Sequence, residues 1–210
     1  MFNFLDTLFG SFNLLGAPIE SIHFLDECDA ESTESELITS KKTEDMKSNL
    51  AVDFSVDKDN RTITIKREFE AERALVWDAY TKTEILDQWW APKPWKAKTK
   101  SMDFRDGGKW LYAMVGPNGE EHWSIVDYTK INAKQSFSGL DAFTDENGKI
   151  NKEMPRSSWE VSFDEQGDHT FVQIIVSYDD LAQLEATIEM GFKEGLLSAM
   201  ENLDELLPKL

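Results

Sequence analysis

The chain has a single cysteine, Cys28, among 210 residues. A lone thiol cannot close an internal disulfide, which excludes a disulfide-stapled scaffold and makes a reducing, cytoplasmic setting the expectation. Histidine is also scarce. His23, His122 and His169 stand far apart and show no metal-ligand spacing, so no metal is expected. Positive charge is also short: 40 Asp and Glu face 22 Lys and Arg, a formal net charge of −18. So acidic a chain repels phosphate backbones and anionic headgroups, which argues against nucleic acid and against a membrane surface. No apolar run approaches the roughly 20 residues of a membrane-spanning helix. A glycine-rich phosphate loop and a G-x-S-x-G elbow are both missing. No nucleophile–base–acid set can be assembled, so no catalytic residue and no cofactor are assigned.

What is present is enough to fold. Hydrophobic residues make up 40% of the chain, with 13 Phe and 7 Trp. That supports a sizeable core and excludes wholesale disorder. Residues 1–50 differ from the rest. They hold three basic residues (Lys41, Lys42, Lys47) against ten acidic ones, with no base before Lys41. The positive start of a secretory signal is therefore missing. Phe2, Leu5, Phe9, Phe12 and Leu15 recur at helical spacing, which predicts a short amphipathic helix. Residues 26–48, rich in Glu, Ser, Thr and Lys, predict a disordered linker. The expected division is an acidic extension over 1–50 and one folded domain over 51–210, with Met46 as an alternative start.

From residue 51 the patterning is regular. Ile63, Ile65 and Phe69 alternate with polar residues and predict a strand. Residues 72–80 switch to helical spacing, and a second short helix runs from Thr83 to about Trp90, stopped by Pro92 and Pro94. Further strands alternate through Met102 and Phe104, through Trp110, Tyr112 and Met114, and through Trp123 and Ile125. Others follow near 134–140, at Trp159, Val161 and Phe163, and around Ile174. Turn signals at Asp106-Gly107-Gly108, Pro117-Asn118-Gly119 and Gln166-Gly167-Asp168 separate them, and residues 141–155 form a polar loop. Strands joined by tight turns predict an antiparallel meander. Residues 181–207 predict one long helix with an apolar stripe of Leu181, Leu184, Ile188, Phe192, Ala199, Leu203 and Leu206. The expected fold is α+β, a curved antiparallel sheet of six or seven strands gripping a long C-terminal helix.

Four stretches, in this order, carry a resemblance: Thr64–Tyr80 (TIKREFEAERALVWDAY), Asp87–Pro92 (DQWWAP), Phe104–Gly108 (FRDGG) and Glu189–Gly195 (EMGFKEG). They resemble the START-like (SRPBCC, helix-grip) superfamily, in the branch named after the activator of the 90-kDa heat-shock-protein ATPase. The resemblance covers about 55–207 and leaves residues 1–50 without a counterpart. It implies an apolar cavity between sheet and C-terminal helix. It also implies a partner that is a small apolar molecule (lipid, polyketide or aromatic) carried or sensed there. Some members of the superfamily catalyse cyclisation or dehydration. A chaperone partner is disfavoured, because residues 1–50 are too short and linker-like to supply the activator's further N-terminal domain.

On that basis the expected cavity wall comprises Trp89, Trp90, Met102, Phe104, Trp110, Tyr112, Met114, Trp123, Phe137, Trp159, Ile188, Phe192 and Gly195. Taken singly, each aromatic reads as ordinary core, and it is the resemblance that shifts the set as a whole towards a cavity. Two adjacent tryptophans on a helix point about 100° apart, so Trp89-Trp90 supplies a cavity rim or a hydrophobic plug. Gly191 and Gly195, four apart, would share one helix face and leave room for a strand backbone or for a ligand. Arg67, Asp103, His122 and Glu194 are the polar candidates. Arg67 falls on an apolar strand face and needs a partner, for which Glu194 is a candidate. Tyr112, Asp103 or His122 would be the acid or base of an enzymatic alternative.

Overall fold

The computed structural model of the protein describes residues 52–210. The expected helix over Phe2–Leu15, the linker over 26–48 and the Met46 start lie outside the described residues. In chain order the elements are β1 (Val52–Asp57), β2 (Thr62–Phe69), α1 (Arg73–Thr81), α2 (Thr83–Leu86), β3 (Lys96–Met102), β4 (Lys109–Val115), β5 (Glu121–Asn132), β6 (Ser136–Thr144), β7 (Arg156–Gln166), β8 (His169–Tyr178), α3 (Leu181–Glu189) and α4 (Phe192–Leu206). A 3-10 turn, Leu207–Lys209, ends the chain.

The eight strands form one antiparallel sheet in the order β1-β2-β8-β7-β6-β5-β4-β3. Strands β3 to β8 are a simple meander, and β2 returns to pair with β8. The α+β helix-grip expectation is met, with eight strands in place of six or seven. The addition is β1, a short strand at the sheet edge, almost all of it exposed although Val52, Phe54 and Val56 alternate with polar residues.

The strands form because each presents one apolar face. β8 buries Thr170, Val172, Ile174, Val176 and Tyr178, every second residue. On β2 the same alternation buries Ile63, Ile65, Arg67 and Phe69. The partner of Arg67 is not Glu194, which is exposed. It is Asp204 on α4, where the two side chains form an ion pair. Burial drives the Asp204 carboxyl upward, and the Arg67 charge opposes it. That pair ties the C-terminal helix to the second strand.

The turn before β4 explains the Gly107-Gly108 pair. Gly107 takes a left-handed φ of 75°. A Cβ on Gly108 would overlap the backbone carbonyl oxygen of Asp103, so only glycine fits there. Its carbonyl accepts from Tyr128 N–H at 2.9 Å, which seats the turn against β5.

The single helix expected over 181–207 is two helices. Asp180 caps the first, accepting from Gln183 N–H. The chain then breaks at Gly191, whose φ of 79° is left-handed. Gly191 therefore does not share a helix face with Gly195. It serves the backbone rather than a ligand or a neighbouring strand. The break turns the apolar stripe, so Leu181 and Ile188 are exposed while Leu184, Ala199 and Leu203 are buried. Helix α4 buries Gly195, Leu196, Ala199, Met200, Asn202 and Leu203, a stripe at helical spacing. Asn202 donates to the carbonyl of Ala91 at 3.0 Å and fixes α4 against the loop that carries Trp89 and Trp90.

Candidate functional site

The concave face of the sheet is only partly filled. Between strands β4 to β8, helix α4 and the loop at Trp90 lies a cavity of about 160 Å³. Alternation along each strand supplies its wall. β4 contributes Trp110, Tyr112 and Met114. β5 contributes His122, Ser124, Val126 and Tyr128, and β6 contributes Phe137, Gly139, Asp141 and Phe143. Trp159 and Val161 come from β7 and Ile174 from β8. The helical side adds Tyr80, Leu86, Trp90, Pro92, Phe192, Gly195 and Leu196.

Of the residues singled out from sequence, Trp90, Trp110, Tyr112, Met114, Phe137, Trp159, Phe192, Gly195 and His122 come together at this cavity. The ring planes of Trp110 and Tyr112 stack at 3.9 Å, as two aromatics at i and i+2 of one strand can. Trp90 meets Trp110 edge-on at 5.7 Å and tilts against Trp159 at 6.2 Å. Trp159 meets Phe192 of α4 at 5.8 Å. Its indole N–H donates to Ser157 Oγ at 2.9 Å, which fixes the ring.

The other expected wall residues lie elsewhere. Trp89 is the plug: it has no exposed surface, and its indole N–H donates to Ala79 O at 2.9 Å. Phe104 packs edge-to-face on Trp77 and Tyr128, and Met102 packs on the core at the end of β3. Trp123 points to the opposite face of β5, under the Lys100 ammonium at 5.5 Å. Ile188 is exposed. Asp103 is exposed and paired with Arg105 at 2.8 Å, so it cannot serve as an acid inside the cavity. Glu194 and Arg67 are likewise away from the wall, Arg67 being held by Asp204. Among the described residues no group of three or more His, Cys, Asp or Glu could hold a metal ion. No described helix is long and apolar enough to cross a membrane.

The polar group that sequence patterning misses is Asp141. Strand β6 runs to Thr144, so Asp141 belongs to the sheet and not to the polar loop expected from 141. Phe137, Gly139, Asp141 and Phe143 are alternate residues, a signal masked because Leu140 and Ala142 move the apolar alternation to the other face midway along the strand. Cross-strand, Asp141 pairs with Val126 on β5 and Ser157 on β7. The surface it keeps exposed faces the cavity, and burial lifts its carboxyl to about 7, against the pull of Arg156. Among the described residues no hydrogen bond reaches that carboxyl.

The neighbouring hydroxyls are neutral. Burial, reinforced by the Asp141 charge, pushes the Tyr112 phenol up, with Trp90 and Ser124 pulling the other way. Tyr178 is raised by burial to about 12. Burial lowers His122, against Glu120, so its imidazole favours the neutral form. The arrangement is an aromatic enclosure with one carboxyl and several neutral hydroxyls.

The sequence pattern of the family described as Activator of Hsp90 ATPase homolog 1-like protein matches residues 70–208. Among solved structures, protein Ms6760 from Mycobacterium smegmatis is 31% identical, with a TM-score of 0.69 over 76% of this chain and 99% of its own. A protein from Arthrobacter aurescens, solved in solution, is 28% identical with a TM-score of 0.71, over 75% of this chain and 92% of its own. The AHSA1 protein from Silicibacter pomeroyi is 17% identical with a TM-score of 0.57, over 70% of this chain and 97% of its own, and bears on the fold alone. No curated protein matches the chain.

Proposed function

The chain belongs to the Activator of Hsp90 ATPase homolog 1-like family, and from that premise we propose that it binds one small apolar molecule, the size of a single substituted aromatic ring, beneath α4. The observation that carries this reading is the aromatic wall around unfilled space: Trp90, Trp110, Tyr112 and Trp159 ring about 160 Å³. Interiors normally pack without voids of this size, and an apolar cavity of about 150 Å³ takes up benzene. The same volume selects among the ligands expected from sequence. Drug-sized pockets begin near 300 Å³, so the space suits one ring better than a lipid or polyketide chain. The reading is a carrier or sensor in the wider sense of the superfamily.

Tryptophan fluorescence tests it directly, because three of the wall residues are indoles. Titration with toluene or benzyl alcohol should shift the emission with a Kd in the micromolar range, about −8 kcal/mol. That stays inside the ceiling of about −1.5 kcal/mol per heavy atom for a ligand of this size. No change in emission with any single-ring compound, from a folded protein, would refute the reading.

A further inference from the structure

We propose that the cavity is selective for an organic cation, a small molecule with an apolar or aromatic body and a protonated amine held between Asp141 and the surrounding indole and phenol faces. This inference rests on the cavity reading above and gives it a ligand class.

The argument starts from what the wall contains. Among the described residues lining the cavity, none is Lys or Arg. Its single acidic residue is Asp141, which stands between Gly139 and Phe143 on the concave face of β6. The nearest opposing charge, Arg156, pairs in register with Ala142 rather than with Asp141. It therefore projects from the other face of the sheet, where its guanidinium binds Asp127 at 2.9 Å. The acceptor capacity of Asp141 towards the cavity is thus unmet.

Each ligand class meets this wall differently. An anion would face a carboxyl with no cation to offset it, which costs several kcal/mol in an apolar site. A neutral hydrocarbon would gain the apolar contacts and leave the carboxyl unmet. A protonated amine supplies the missing charge and up to three donors. Its charge also gains from the ring quadrupoles of Trp90, Trp110, Tyr112 and Trp159, the attraction that recognises alkylammonium groups in aromatic cages. The net charge of −18 works in the same direction at longer range, concentrating cations and repelling anions at the surface.

A four-ligand ladder of equal ring size separates this claim from the broader one: benzylamine, benzyl alcohol, toluene and benzoate, titrated into the full chain at pH 8 by tryptophan fluorescence and calorimetry. Benzylamine should bind about tenfold or more tighter than toluene, benzyl alcohol should lie between them, and benzoate should be weakest. In Asp141→Asn the preference for amine over toluene should fall below about threefold. The ladder on the unaltered protein needs no variant, so poor folding of Asp141→Asn would not shield the proposal. Toluene binding with no preference for the amine overturns the inference and leaves the cavity reading intact. An amine preference that survives in folded Asp141→Asn overturns it as well. If none of the four binds, the cavity reading itself fails and the inference falls with it.

Discussion

At the end of the concave face covered by α1, Trp77 packs its ring against Phe104, Phe137 and Phe163 with centroids 5.2–6.1 Å away. At the end covered by α4, Trp90, Trp110, Tyr112 and Trp159 stand around about 160 Å³ that no side chain enters. Both ends use large aromatics on the concave face, and β7 supplies one to each, Phe163 to the first and Trp159 to the second. The difference lies in what the helices contribute. Helix α1 buries Trp77 and Tyr80, whereas α4 brings Gly195 to the cavity. An aromatic on a concave sheet becomes core where the facing helix fills the space beside it, and wall where the helix leaves that space open, as α4 does at Gly195.

The largest effect expected from this contrast is at the packed end. Trp89→Ala removes a fully buried ring, its hydrogen bond to Ala79, and its edge contacts to Tyr80 and Trp90. It should cost about 3–5 kcal/mol in urea unfolding. A loss under about 1 kcal/mol would mean that this end is as open as the other.

Next comes the carboxyl at the open end. Burial, opposed by Arg156, holds Asp141 at about 7 in the folded chain, against about 3.9 when unfolded. Between those values the folded state binds the extra proton. The group's contribution to stability is thus full below about pH 4 and lost as pH rises through 7. Asp141→Asn carries no charge at any pH. It should match the unaltered protein near pH 4 and exceed it by roughly 2–4 kcal/mol above pH 8. His122 and Asp204, whose ionisation burial also shifts, are common to both proteins, so the difference between the two curves isolates Asp141. A difference that is flat in pH would show that the ionised carboxylate is well satisfied in the cavity.

Gly108→Ala returns to the packed side, in the turn that follows Phe104. Its added methyl meets the Asp103 carbonyl oxygen, and the turn must shift. The expected loss is about 1–3 kcal/mol in chemical unfolding, with ligand titrations unchanged. A neutral outcome would show that the turn adapts freely.

The smallest stability change is expected at Gly195→Leu. The new side chain enters open space and improves helix propensity, so the variant should be neutral or up to about 1 kcal/mol more stable. Single-ring compounds should no longer alter its fluorescence. A destabilisation above about 1 kcal/mol would place Gly195 against packed atoms and close the contrast between the two ends.

Much of this was legible along the chain. Alternation in Trp110-Tyr112-Met114 and Trp159-Val161-Phe163 identified concave-face residues because a strand's side chains have period two. Arg67 announced a buried partner by standing on an apolar face. Its partner could not be named, since Asp204 lies 137 residues away on a helix whose rotation depends on the break at Gly191. Asp141 was illegible because the apolar residues of β6 change face between Phe137 and Leu140, which breaks the alternation that would have extended the strand past 140. Trp123 and His122 are neighbours on β5, and the pattern admits either to the cavity. The register Tyr112↔Ser124 places His122 inside and Trp123 outside.

The sequence by itself determined the α+β class, the meander and which residues alternate along most strands, because these follow from local periodicity and turn chemistry. Only the tertiary structure decided which aromatics meet another ring and which meet open space. That outcome depends on the path of α4 across the sheet and on the volume left beneath it. A cavity is a shortfall in the summed fit of residues from eight separated elements and a loop, and no local pattern records such a sum.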